Sequence, residues 1–345
     1  MHAVLLASAL LVGCLLAVQA SVNLQLNKAV GTPYGASTLQ LSVAVGLLLV
    51  LAVATGAIGA VRLVPDVPAW LLLGGLFSPL YITSGILLFP RLGALATVGL
   101  FVTGQMFASL ALDLLGLLEA PQRSLTAGIA LGAAVVLAGI IVIIRGQRVV
   151  APAGPAAGSI APPVPPAAPP GQGGGAGLVT ATIASGQTRS AVRVGRVGWI
   201  ALGIVAGAGL PVQGAINAQL RSELVEPLAV ATFSFTVATT AIAIVLLGLL
   251  GIRATTRPKL RPLAQMPWWG WLGGGCAAAY VTATFLLIPE IGAATTVALT
   301  VTGQQLASAA IDSNGRFRMP KRAMTRARTA GLVLLVAGSA LVQLA

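Results

Sequence analysis

Val102-Thr103-Gly104-Gln105-Met106-Phe107-Ala108-Ser109-Leu110-Ala111-Leu112-Asp113 recurs 199 residues later as Val301-Thr302-Gly303-Gln304-Gln305-Leu306-Ala307-Ser308-Ala309-Ala310-Ile311-Asp312. Two unrelated apolar helices share leucines and alanines, but not this ordered set of glycine, amide, hydroxyl and acid. The chain therefore contains an internal repeat. Working backwards at the same offset, Thr97-Val98 matches Thr296-Val297, and Pro90-x-x-Gly93-Ala94 matches Pro289-x-x-Gly292-Ala293. Pro68-x-Trp70-x3-Gly74-Gly75 likewise aligns with Pro267-x-Trp269-x3-Gly273-Gly274. Further upstream the offset is 194, pairing Gln19-x3-Asn23 with Gln213-x3-Asn217 and Pro33 with Pro227.

The repeat lies in a membrane composition. Of 345 residues, 57% are hydrophobic and 8% charged, with mean hydropathy +0.96, whereas a soluble domain carries about a quarter charged residues. Stretches long enough to span a bilayer, about 17 to 25 residues each, cover 3–22, 36–60, 69–89, 93–113 and 125–144, then 198–218, 228–252, 268–288, 292–311 and 329–345. Backbone amides cannot stay unpaired in lipid, so these are helices, and the alternating pattern of a β-barrel is absent. The expected fold is an all-α integral membrane protein of ten transmembrane helices.

Eight of the twenty residues from Ala151 to Pro170 are proline, and a glycine cluster follows from Gly171 to Gly177. That composition has too little apolar side chain for a core and reads as a linker. The expected organisation is a first five-helix repeat over 1–146, a Pro/Gly/Ala-rich linker over 147–197 and a second repeat over 198–345.

Five spans per half is an odd number, so the second half must enter the membrane in the opposite direction. The repeat is thus expected to be inverted. Charge gives the orientation: 17 of the 20 Lys and Arg fall on one side, leaving Arg62, Arg123 and Arg221 on the other. By the positive-inside rule the linker is cytoplasmic and both termini are outside. Trp70, Trp268, Trp269 and Trp271 cluster at span starts as interfacial anchors.

The same residues exclude most chemistry. The net charge of +13 comes from basic residues between apolar runs, which fits membrane loops better than a nucleic-acid partner. Cys14 and Cys276 lie in apolar runs, and the single histidine, His2, has no second ligand or acid near it, so neither a metal site nor an acid–base centre is expected. No cofactor and no enzymatic activity are expected. Leu11-Val12-Gly13-Cys14 is like a lipoprotein cleavage box, but the chain stays apolar beyond Cys14 and the segment matches a later internal one. A first span is the better reading.

Gln105, Ser109 and Asp113, and again Gln304, Ser308 and Asp312, are spaced i, i+4, i+8, which puts each trio on one helix face. An acid within a span is costly, and such groups usually face a cavity. Asp113 and Asp312 are therefore the candidates for proton coupling; the alternative places each at a span end among headgroups, where an acid is cheap. Gln19 with Asn23, and Gln213 with Asn217, lie one turn apart and offer donors and acceptors without charge selection. They either line a cavity with Gln105, Ser109, Gln304 and Ser308, or bond neighbouring helices. The glycine pairs fit close helix packing better than phosphate binding. The basic group from Arg316 to Arg328 either attracts anionic lipid or merely fixes orientation.

Taken together, the two Gly-Gln-x3-Ser-x3-Asp faces, the Gln-x3-Asn pairs and the Pro-x-Trp-x3-Gly-Gly starts resemble the YdcZ-type proteins of the drug/metabolite transporter superfamily, in a fused two-repeat form. The resemblance spans both halves and omits the linker. It implies an EamA-like bundle in a bacterial-type inner membrane with a central cavity between the halves, and it implies no particular substrate. Small multidrug exporters of that superfamily carry a glutamate in the first span, whereas the first and sixth spans here contain no acid. Any coupling acid then lies in spans 4 and 9.

The expected function is a secondary transporter moving a small metabolite or drug-like compound by alternating access, with proton-coupled export as the favoured form. The alternative is a non-transporting membrane scaffold or lipid-interacting protein.

Overall fold

The computed structural model describes residues 2–119, 124–146, 176–291 and 293–344. Among these the secondary structure is helical throughout: α1 (His2–Val30), α2 (Pro33–Ala54), α3 (Phe77–Leu92), α4 (Ala94–Leu115), α5 (Ala127–Gly146), α6 (Ala176–Leu224), α7 (Pro227–Gly251), α8 (Leu272–Ile291), α9 (Ala293–Asn314) and α10 (Arg326–Leu344). Among the described residues, seven helical segments are long and apolar enough to cross a membrane, namely α1, α2, Ala69–Leu92, α4, α5, Gly195–Leu224 and α7. This is an all-α membrane fold.

Local sequence explains several boundaries. Pro33 and Pro227 open α2 and α7, where a fixed φ is pre-organised and a missing N–H is no loss. Gly31 ends α1 at φ 83° and Gly116 ends α4 at φ 59°, left-handed positions that suit glycine. Four expected spans have different local structure. The stretch 36–60 is helical only to Ala54 and then tightens into a 3-10 segment, Ala57–Asp66. The stretch 69–89 starts as a 3-10 segment, Ala69–Leu76, as does its counterpart at Trp268–Trp271. Finally, α6 begins at Ala176, inside the expected linker. Residues 176–197 contain no proline, so nothing interrupts the helix there. The proline-rich stretch 151–170, Arg123 and Gly292 lie outside the described residues.

Residues 1–146 with 202–345 form one compact unit, and 147–201 a second, whose described part is a helical backbone from Ala176. Within the first unit the two sequence halves interdigitate. α1 of the first half packs on α8 and α9 of the second, α2 on α7, and α5 on α10. Glycine permits these crossings, and the same approach recurs in both halves. A Cβ on Gly303 would strike the Leu10 carbonyl oxygen, and one on Gly104 the Ile204 carbonyl oxygen, 194 residues on. Gly13 meets the Thr300 backbone and Gly207 the Phe101 backbone in the same manner. Between α5 and α10, a Cβ on Gly132 would meet Gly338 O at 3.0 Å and one on Gly139 would meet Gly331 O at 2.9 Å. Helices sharing an apolar solvent gain little from hydrophobic burial, so close backbone approach through small residues supplies the packing.

Candidate functional site

α1, α3, α6, α7 and α8 enclose a cavity of about 60 Å³. Its wall is built from repeat-equivalent pairs: Leu16 with Leu210, Gln19 with Gln213, Tyr81 with Tyr280, and Ile82 with Val281. Ser78 and Ala277 occupy a fifth equivalent pair of positions, and Phe235 completes the lining. No acid, Lys, Arg or His is among the lining residues. The cavity can therefore exchange hydrogen bonds and apolar contact with a guest, but offers no counter-charge.

Tyr81 is buried against Phe101, with ring centroids 4.4 Å apart, and accepts a hydrogen bond at Oη from Gln304 Nε2 at 2.7 Å. Gln304 therefore reaches the cavity wall through a lining residue. On Gln213, Oε1 accepts from Ser78 Oγ at 2.9 Å. The equivalent acceptor, Gln19 Oε1, is buried without a partner among the described residues.

The other amides of the Gln-x3-Asn pairs have a different place. Asn23 Nδ2 donates to Gln40 Oε1 at 3.2 Å, and Asn217 Nδ2 donates to Ser234 Oγ at 3.1 Å. Each tethers its helix to the following one, 17 residues on. A Cβ on Gly273 would collide with Asn23 Oδ1, and one on Gly74 would lie 2.6 Å from Asn217 Oδ1. The first glycine of each pair thus makes room for an asparagine of the other half. A further layer lies at the helix ends, where Gln25 Nε2 donates to Phe317 O at 2.7 Å and Gln219 Nε2 donates to Leu118 O. Leu118 and Phe317 both have φ 54°, so the same irregular turn presents the accepting carbonyl in both halves.

The two amide-hydroxyl-acid faces are not equivalent in their surroundings. On α9, Gln304, Ser308 and Asp312 are all fully buried, and Ser308 Oγ donates to the Gln305 carbonyl. On α4, Gln105, Ser109 and Asp113 are half-buried, with Gln105 Nε2 lacking a partner among the described residues. Ser109, Ser308, Asp113 and Asp312 are not among the residues lining the cavity.

Asp312 instead joins three elements. Its Oδ1 accepts the Ala94 N–H at 2.8 Å and its Oδ2 the Leu95 N–H at 3.2 Å, while Arg328 donates to Oδ2. The carboxylate sits at the N-terminus of α4, where free amides and the helix dipole favour a negative charge. Arg328 also donates to the Arg322 and Ala323 carbonyls. Arg322 donates to the Leu92 and Pro90 carbonyls at the α3–α4 turn. Burial lowers the Arg322 pKa, with Asp312 opposing that shift and Arg328 adding to it. Of the basic group from Arg316 to Arg328, Arg322 and Arg328 are thus turned inward, while Arg316, Arg318, Lys321 and Arg326 are exposed, with Arg318 lying 5.9 Å from the Trp269 ring centre.

Of these lining residues, Gln19 and Gln213 were expected at a cavity from the sequence, whereas Tyr81, Tyr280 and Ser78 were not. The tyrosines were visible: each follows the first glycine of its Gly-Gly pair by seven residues, in both halves. Arg328 carried the opposite signal, since its equivalent in the first half is Ile129.

With this geometry in hand, comparison with known proteins gives three results. The family described as "Putative inner membrane exporter, YdcZ" matches residues 4–142 and 198–341. No curated protein matches the sequence. One solved crystal structure shares the fold, with TM-score 0.50 and 16% identity over 98% of this chain and 94% of that one.

Proposed function

The chain belongs to the YdcZ family, and from that premise we propose that it is a secondary transporter moving a small metabolite or drug-like compound by alternating access. Ten transmembrane helices form two inverted five-helix repeats, 1–146 and 198–345, joined by a cytoplasmic linker over 147–197, with both termini outside. One observation carries the reading: a cavity walled by equivalent residues of both halves, Gln19 with Gln213 and Tyr81 with Tyr280. Inverted-repeat carriers place their substrate at such a junction, where rocking of one half against the other exposes it alternately to each side.

In this scheme the Asp312 cluster closes the cytoplasmic end. It ties the α3–α4 turn to the end of α9 and the start of α10, all on the side that carries most of the Lys and Arg. Proton coupling through Asp113 and Asp312 would act at the two ends of the pathway, by loosening such closures, while substrate contacts the amides and phenols. Arg316, Arg318, Lys321 and Arg326 are free to meet anionic lipid at the cytoplasmic surface.

A second reading, a non-transporting scaffold or lipid-interacting protein, draws on the helix-tethering bonds of Asn23 and Asn217. Flux separates the two. Purified protein in proteoliposomes with an internal pH dye would be offered a panel of small metabolites and cationic drugs, with and without a pH gradient. Saturable flux is expected, and in folded Gln213→Leu protein it should fall at least tenfold. Flux that accelerates with the gradient supports export against protons. Correctly inserted protein that moves none of the compounds would leave the scaffold reading standing.

A further inference from the structure

The repeat contains its own control for what the cavity is built to hold. Gln213 and Gln19 are equivalent, but only Gln213 has a donor on its side-chain oxygen, Ser78 Oγ. Ala277 stands where Ser78 would be, and Gln19 Oε1, on a residue only 4% exposed, has no donor among the described residues. A buried acceptor without a partner is costly, and native proteins rarely leave one unless something else completes it. This one belongs to a lining residue of an otherwise apolar and aromatic cavity.

Resting on the transporter reading for the role of this cavity, we propose that it recognises a small uncharged molecule with an apolar body of a few heavy atoms, whose N–H or O–H group donates to Gln19 Oε1 in the place that Ser78 takes at Gln213. The wall argues for each part of that description. Leu16, Ile82, Leu210 and Phe235 accept an apolar body, and Tyr81 and Tyr280 add aromatic faces. A full charge would enter without a counter-ion, since none of the described residues lining the cavity is acidic or basic. Gln19 supplies direction: a ligand without a donor would leave the orphaned acceptor as it is.

The test uses matched probes on the full chain in detergent. Acetamide carries an amide donor, acetone has nearly the same size without it, and acetate and methylammonium carry charges. Saturable binding of acetamide is expected to be at least tenfold tighter than that of the other three. Ala277→Ser copies the Ser78 arrangement and should abolish the preference over acetone. Gln19→Leu should do the same by removing the acceptor, and provides the reading if the serine variant fails to fold. The proposal is overturned if folded wild type shows no saturable acetamide binding, if acetamide and acetone bind equally, if a charged probe binds more tightly, or if the preference survives in the variants. Flux is scored separately in proteoliposomes. Acetamide binding without flux of any compound would sink the transporter reading and leave the site, whereas flux of charged compounds without acetamide binding would do the reverse.

Discussion

Arg328 and Asp312 form an ion pair shielded from solvent, with the carboxylate also holding the first two amides of α4. The acid recurs in the repeat at Asp113, but the arginine does not, since Ile129 stands in its place.

Removing one member of a buried pair strands the other, which typically costs about 3–5 kcal/mol. Asp312→Asn is expected to lower the unfolding midpoint in detergent sharply, and Arg328→Met to do so as well. The double variant should be less damaged than the sum of the two, with a coupling of about 1–3 kcal/mol. Asp113→Asn, at a half-buried position, should cost less than Asp312→Asn. Strictly additive losses at Asp312 and Arg328 would mean that the pair contributes nothing as a pair.

Val225 ends α6 at φ 62°, where its repeat equivalent, Gly31, ends α1 at φ 83°. Both N–H groups make the same bond, to Arg221 O and Asn27 O, each at 2.8 Å. A left-handed conformation costs an L-residue about 1–2 kcal/mol, more than the extra chain entropy of about 0.5–1 kcal/mol that glycine loses on folding. Because the Val225 side chain is exposed, little packing is lost with it. Val225→Gly is expected to raise stability by about 0.5–1 kcal/mol, and Gly31→Val to lower it. A lower unfolding midpoint for Val225→Gly would show that the valine side chain packs on something that outweighs its backbone strain.

The parts legible in the sequence were those that recur in both halves. Gln19 and Gln213 were readable as paired amides because a polar side chain in an apolar helix is costly unless it finds a partner, and both halves carry one at the same place. The helical class followed from hydropathy alone. The sequence could not reveal which helix each amide faces: Gln19 and Asn23 lie one turn apart, yet one lines the cavity and the other tethers α1 to α2. Nor could it distinguish Arg328 from the exposed arginines around it, because its role depends on the distant Asp312 and on the α4 amides. The 3-10 segments before α3 and α8 were hidden as well, since hydropathy does not separate a tight turn of apolar residues from an α-helix.

Glycines offer a contrast between occupied and empty space. A methyl group at Gly303 would run into the backbone of α1 at Leu10 and Cys14, whereas at Gly214 there is nothing within 4 Å. Backbone cannot rotate aside as a side chain does, so Gly303→Ala is expected to cost about 1–3 kcal/mol through forced helix displacement. Gly214→Ala should be neutral or should stabilise α6 by up to about 1 kcal/mol, from helix propensity alone. Thermal unfolding of the two variants side by side reads the difference, and equal midpoints would contradict the close crossing of α1 and α9.

Gly59 follows α2 and Arg257 follows α7, both exposed and at comparable places in the two halves. If the repeats are inverted, these residues must lie on opposite sides of the membrane, and the excess of Lys and Arg puts Arg257 inside. Single cysteines at each position, in a background carrying Cys14→Ser and Cys276→Ala, make this visible. A membrane-impermeant maleimide is expected to label Gly59→Cys in intact cells and Arg257→Cys only after permeabilisation. The reverse pattern would keep the inversion but turn the protein over, placing the linker outside against the charge bias. Labelling of both from the same side would mean that an even number of crossings separates them, and the inverted arrangement on which alternating access depends would have to be given up.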